Sequence, residues 1–114
     1  MVVELKSVYS GGDIDDTDGA YDCMYIMVDG KKVGDVTVKF WSDDSSLIER
    51  IDVDECERGK GIGSEVIRMI SSDHESCYIV PDSKRAASLY ARLGSESKSE
   101  VWMSLDQGFG VYEV

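Results

Sequence analysis

The passage from residue 47 to residue 72 does most to narrow the folds open to this chain: a strand pattern runs into Arg58-Gly59-Lys60-Gly61-Ile62-Gly63 and then into a helix pattern. Leu47, Glu49, Ile51 and Val53 share one strand face by period-2 alternation. Ile62, Val66, Met69 and Ile70 recur at helical spacing up to Ser71-Ser72-Asp73. A strand that turns through closely spaced glycines into a helix gathers backbone N–H groups, and the positive end of the helix dipole, around one point. Such a point favours phosphate. Gly61 and Gly63 permit close backbone approach, Arg58 and Lys60 can add charge-assisted hydrogen bonds, and the amides of residues 58–64 would converge on the anion. A purely structural turn is the other reading of the same glycines. The Lys-Ser/Thr ending of a nucleoside-triphosphate loop is absent, as is the full dinucleotide glycine pattern.

Charge points to the same segment. The 114 residues carry a formal charge of −11, which would repel a nucleic-acid backbone, so direct binding of DNA or RNA is not expected. Residues 1–57 hold 5 basic and 15 acidic side chains and residues 93–114 hold 1 and 4, whereas residues 58–92 hold 6 and 4. The one net-positive stretch carries the glycine loop, and an anionic ligand would bind there. The length suits a single domain over residues 1–114 with a modest core. No apolar run reaches the roughly 18 residues that a membrane span needs, and the opening Met1-Val2-Val3-Glu4 lacks the features of a signal peptide, so a cytoplasmic protein without membrane partners is expected. Cys23, Cys56 and Cys77 are widely and irregularly spaced, and with His74 as the only histidine no metal site is expected.

The remaining patterns complete the order β-β-β-β-α-β-α-β-β. Val2 to Val8 reads as a strand, followed by a loop from Ser10 to Gly19. Tyr21 to Val28 and Lys32 to Trp41 form a hairpin about Asp29-Gly30. Val36, Val38 and Phe40 give its second arm one apolar face, which fits a mostly antiparallel sheet. Cys77 to Val80 is a short strand, and Asp82 or Ser83 caps a helix that runs to Gly94 in a left-handed C-terminal position, with Ala86, Leu89, Tyr90 and Leu93 as its buried stripe. Val101 to Leu105 and Phe109 to Val114 predict a closing hairpin, whose exposed final strand could pair two subunits as a homodimer.

These residues resemble the GNAT superfamily of N-acetyltransferases. Its signature R/Q-x-x-G-x-G/A is met by Arg58, Gly61 and Gly63, and its helix pattern N-x-x-A-x-x-L-Y-x-x-x-G-F is similar to the run from Ser83 to Ser95. Two motifs in the right order cover roughly residues 20–114. Three departures stand out: Ser83 replaces Asn, Ser95 replaces Phe, and the helices usual between the first two strands are missing.

The resemblance implies an α/β (α+β) sheet in which strand 4, Leu47 to Val53, and strand 5, Cys77 to Val80, run parallel and splay apart around acetyl-CoA. Implied coenzyme contacts are Ile51, Asp52, Val53, Arg58, Gly59, Lys60, Gly61, Ile62, Gly63, Ser64, Ser83, Ala86 and Tyr90, with no metal. A free N–H near Val53 would bond the thioester carbonyl. Tyr90 would protonate the departing thiolate, and Glu49, its pKa raised if buried, would serve as general base directly or through water. Tyr90 on spacing alone suits a core position better than a catalytic one, Cys56 suits loop filler better than a covalent route, and His74 suits a solvated connection. Asp15, Asp16 and Asp18 read either as part of a solvated loop or as a negative rim for a cationic amine on a small molecule or protein. A calcium loop does not fit their spacing. An inactive coenzyme-binding or acidic interaction module is the rival to an enzyme.

Overall fold

The computed structural model describes residues 1–12, 19–42, 45–73, 76–96 and 108–114. Its strands are β1 (Val3–Gly12), β2 (Ala20–Val28), β3 (Lys31–Ser42), β4 (Ser45–Val53), β5 (Ser76–Ile79), β6 (Ser95–Glu96) and β7 (Tyr112–Glu113). The helices are α1 (Ile62–Ser72) and α2 (Lys84–Leu93), and a 3-10 turn spans Glu55–Glu57. Among the described residues the seven strands form one sheet in the order β1-β2-β3-β4-β5-β7-β6. The pairs β1/β2, β2/β3 and β3/β4 are antiparallel, and β4/β5 is parallel.

The β2–β3 hairpin turns where its sequence predicts. Asp29 and Gly30 both take positive φ, 51° and 84°, the geometry that matches a tight turn to the twist of its strands. β1 is longer than expected: Ser10-Gly11-Gly12 pairs with Asp22-Tyr21-Ala20 instead of entering a loop. Among the described residues the first two strands therefore pair directly with each other. The acidic residues Asp13, Asp15, Asp16 and Asp18 lie outside the described residues, as do His74, Val101 to Leu105 and Trp102.

The main core joins one face of the sheet to α1. Ile26, Val36, Val38, Ile48 and Ile79 pack with Ile62, Val66, Ile67 and Ile70, so α1 is held by apolar burial worth about 1.5–3 kcal/mol per side chain. A smaller cluster, Leu47 with Val111, Tyr78 and Val80, lies apart from it.

Four expectations need correction. Leu47 does not share a face with Ile51 and Val53, because β4 carries a bulge: Arg50 stands opposite Thr37 and Ile48 opposite Val38, leaving Glu49 without a partner on β3. The extra residue inverts the alternation, so Leu47 joins the small cluster while Ile51 and Val53 pack on the main one. The buried stripe of α2 is Ala87 and Tyr90 with Ala86 half-buried, whereas Leu89 and Leu93 are exposed. Gly94 is extended (φ −158°), not left-handed; a Cβ there would collide with the Glu113 carbonyl oxygen, so close strand packing demands the glycine. The last strand, β7, lies between β5 and β6 and is not an edge.

Candidate active site

The bulge at Glu49 sits where β4 parts from β5. Parallel pairing covers only Ser45–Ile48 against Ser76–Ile79, after which β4 continues to Val53 and β5 ends. A cavity of about 500 Å³ opens at this point, lined by Thr37, Ile48, Glu49, Arg50, Ile51, Val80, Asp82 and Tyr90. Loss of the partner strand leaves backbone groups without a ladder. Asp54 N–H donates to the Val33 carbonyl (2.8 Å), so Gly34 and Val53 form a non-hydrogen-bonded pair and Val53 turns its own N–H and C=O away from β3, toward the open edge. Ile51, two residues earlier in the same register, has the same orientation. Asp52 differs: its backbone faces β3, and its carboxylate meets Arg58 at 3.5 Å and Arg50 at 3.7 Å.

At the end of β4 the glycine loop enters α1 as the sequence predicts. Gly59 (φ 81°) and Gly61 (φ 80°) take the left-handed conformation that glycine adopts without penalty, and Gly61 is the N-cap. No side chain caps this helix. The Arg58 amide is occupied by the Glu55 carbonyl (3.3 Å), which narrows the expected set. Among the described residues the amides from Gly59 to Ser64 have no acceptor, and they stand at the positive end of an 11-residue helix.

Gly63 sits inside the helix, where glycine costs roughly 0.5–1 kcal/mol relative to alanine. Apart from its chain neighbours and the backbone of its own helix turns, no atom of the described residues lies within 4 Å of the position its Cβ would occupy. Packing within the chain therefore does not require this glycine, whereas close approach of a ligand to the backbone does. Unpaired amides, an uncapped helix start and this open space are the features that a bound diphosphate requires.

The two cations of the loop are engaged within the chain. Arg58 Nε donates to the Val53 carbonyl oxygen (2.9 Å), in place of the missing strand partner. Lys60 Nζ donates to Glu57 Oε2 (2.8 Å), which holds the Glu57 carboxyl below the usual range and raises the Lys60 ammonium. Lys31 reaches the other oxygen of Glu57 at 3.8 Å, tying the hairpin end to the loop. Cys56 is exposed beside this network, and all three cysteines are free.

On the opposite wall Ser83 is the N-cap of α2, its Oγ accepting from the Ala86 amide at 3.1 Å. This cap fixes the helix that carries Tyr90. Tyr90 is 7% exposed, belongs to the main core and also lines the cavity, so a core position and a place on the cavity wall are compatible. Burial, reinforced by the negative charge of Asp82, pushes its phenol up to about 12. The hydroxyl thus keeps its proton at neutral pH.

Glu49 lines the same cavity but is not buried: its side chain is 46% exposed and pairs with Lys39 at 3.6 Å. Thr37, Arg50, Val80 and Asp82 also line the space and did not emerge as site residues from sequence. Asp82 carried one usable signal, its place directly before the cap of the Tyr90 helix. No group of His, Cys, Asp or Glu suited to a metal occurs among the described residues.

Comparison with known proteins agrees with this geometry. The family described as the acetyltransferase (GNAT) domain matches residues 20–94. The fold is similar to a GNAT family acetyltransferase from Elizabethkingia anophelis solved with acetyl-CoA bound (TM-score 0.62, 13% identity, 82% of this chain and 75% of that one). It is also similar to Tetrahymena GCN5 (TM-score 0.64, 16% identity, 86% and 68%). A third likeness is to a ribosomal-protein-alanine N-acetyltransferase from Brucella melitensis biovar Abortus 2308 (TM-score 0.56, 19% identity, 70% and 67%). At such identities the likeness is one of fold. No curated protein sequence matches the chain.

Proposed function

The chain belongs to the GNAT acetyltransferase family, and we propose that it transfers an acetyl group from acetyl-CoA to a primary amine of a cationic or protein substrate, as a single cytoplasmic domain over residues 1–114. The observation that carries this reading is the continuity of two features. Unpaired amides from Gly59 to Ser64 lead to an open β4 edge at Ile51 and Val53, and that edge borders the cavity with Tyr90. A ligand with a diphosphate at one end and an amide-bearing arm matches both: phosphate on the loop, strand-like pairing along the edge. Free cysteines favour a reducing compartment, and among the described residues no helix is long and apolar enough to cross a membrane.

Acetyl-CoA supplies an activated acyl thioester. The Val53 N–H, turned to the open edge, is placed to bond the thioester carbonyl oxygen as negative charge develops there. Glu49 receives the proton of the acceptor ammonium, directly or through water; its exposure suits the water-mediated route. The C–N bond forms, the acceptor nitrogen releases its second proton to water, and as the C–S bond breaks the Tyr90 hydroxyl gives its proton to the departing thiolate and regains one from solvent. The sequence between the first two strands is too short for the helices usual there in the family, which suits a bulky acceptor, and Asp15, Asp16 and Asp18 would supply a negative rim for it.

Thiol release from acetyl-CoA, followed against a panel of diamines, lysine peptides and protein N-terminal peptides, tests the reading. Amine-dependent release is expected. A raised melting temperature with acetyl-CoA and no release with any amine would make the chain a coenzyme-binding module instead.

A further inference from the structure

We propose that Asp82 is the carboxylate that docks the ammonium group of the acceptor, which makes it a specificity-determining residue for cationic amines; this rests on reading the cavity as an acetyltransfer site. Three charged side chains line that cavity: Glu49, Arg50 and Asp82. Two have partners within the chain: Glu49 pairs with Lys39 at 3.6 Å, and Arg50 with Asp52 at 3.7 Å, a carboxylate that it shares with Arg58. Asp82 has no ion pair and no side-chain hydrogen bond among the described residues. The lining side chains sum to one net negative charge, Asp82 is the carboxylate among them without a partner among the described residues, and a cation is the complementary ligand.

Asp82 is exposed, at the rim of the cavity, and the residues on either side of it are anchored. Pro81 before it is buried, and Ser83 after it caps α2 through the Ala86 amide. Tyr90, on that helix, lines the same cavity, and the Asp82 charge acts on its hydroxyl. Both side chains border one cavity, so an amine held by Asp82 lies in the space that Tyr90 also lines. Because a second carboxylate, Glu49, lines the cavity on the β4 side, the roles divide: Asp82 binds the ammonium and Glu49 takes the proton. The simpler role for Asp82, complementing the dipole of α2, adds little where Ser83 already caps the helix.

Asp82→Asn preserves size and removes the charge. Two acceptors separate the roles: a lysine-bearing peptide amide, cationic at neutral pH, and aniline, which is uncharged there. For the peptide, KM is expected to rise about tenfold and lose salt dependence, as for loss of one charge-assisted hydrogen bond. For aniline, KM should stay the same, as should the melting shift with acetyl-CoA. A peptide KM within about twofold of wild type, or an equal loss for both acceptors, overturns the proposal. Should wild type release no thiol with any amine, calorimetric binding of the peptide to the protein saturated with CoA decides: binding lost in Asp82→Asn upholds the role of Asp82, while binding equal in both proteins, or absent from wild type, overturns it. Failure of acetyl-CoA to raise the wild-type melting temperature would instead sink the acetyltransfer reading.

Discussion

Glycines in two parts of this molecule answer to different demands. At Gly34 and Gly94 a Cβ would collide with carbonyl oxygens of Asp52 and Glu113, so these glycines let strand β4 and the C-terminal strand approach their neighbours. At Gly63 a Cβ would meet nothing, and the same holds at Gly59 and Gly61, where positive φ adds a conformational reason. The first pair is explained by the chain itself. Gly63 has no such cause among the described contacts of the chain, which is what the proposed coenzyme surface calls for. The surroundings agree: the backbone near Gly34 is paired in the β3–β4 ladder, whereas the amides near Gly63 have no acceptor among the described residues.

Substitutions can break this distinction or sharpen it. Gly94→Ala should cost the most, about 3 kcal/mol or more, because the obstacle is backbone and cannot rotate away; a urea midpoint measures it. Tyr90→Phe belongs to the ligand side despite its burial. It should lower kcat about 100-fold while leaving the affinity for acetyl-CoA intact, and an equal fall in affinity would return Tyr90 to a packing role. That variant also carries a pH signature. The phenol is held near 12 in the folded chain against 10 ordinarily, so its contribution to stability is complete below pH 10 and is lost as pH rises toward 12. Wild type should therefore lose more stability than Tyr90→Phe between those limits. Gly34→Ala should cost about 1–3 kcal/mol.

The smallest effect on stability, and the most informative, is expected of Gly63→Ala. Without ligand it should melt at or above the wild-type temperature, by up to about 1 kcal/mol of added stability, while affinity for acetyl-CoA falls about tenfold. A destabilised Gly63→Ala with normal affinity would erase the distinction between the two sets of glycines.

Local chemistry made much of this fold legible. The Asp29-Gly30 turn, the glycine loop and the Ser83 cap are each decided by a few adjacent residues, and the structure has them where the sequence predicts. Features set by distant contacts were not legible. The bulge at Glu49 inverts the β4 alternation and depends on how β3 and β4 align, which no single-strand pattern encodes. The buried stripe of α2 turned out to centre on Ala87 and Tyr90 because packing against the sheet, not spacing within the helix, selects the inward face. Gly94 invited a local conformational reading, but its cause lies on a strand 19 residues later, at Glu113. Asp82 became visible only when the wedge between β4 and β5 brought Glu49 and Tyr90 to one cavity.

Backbone amide NMR during titration with acetyl-CoA tests the central claim most directly. The largest shifts should fall on the amides from Gly59 to Ser64, with Ile51 and Val53 next, and Glu55–Glu57 should move less because those amides do not open the helix. Saturating acetyl-CoA that leaves residues 59–64 unmoved, or that shifts a different surface, would contradict it.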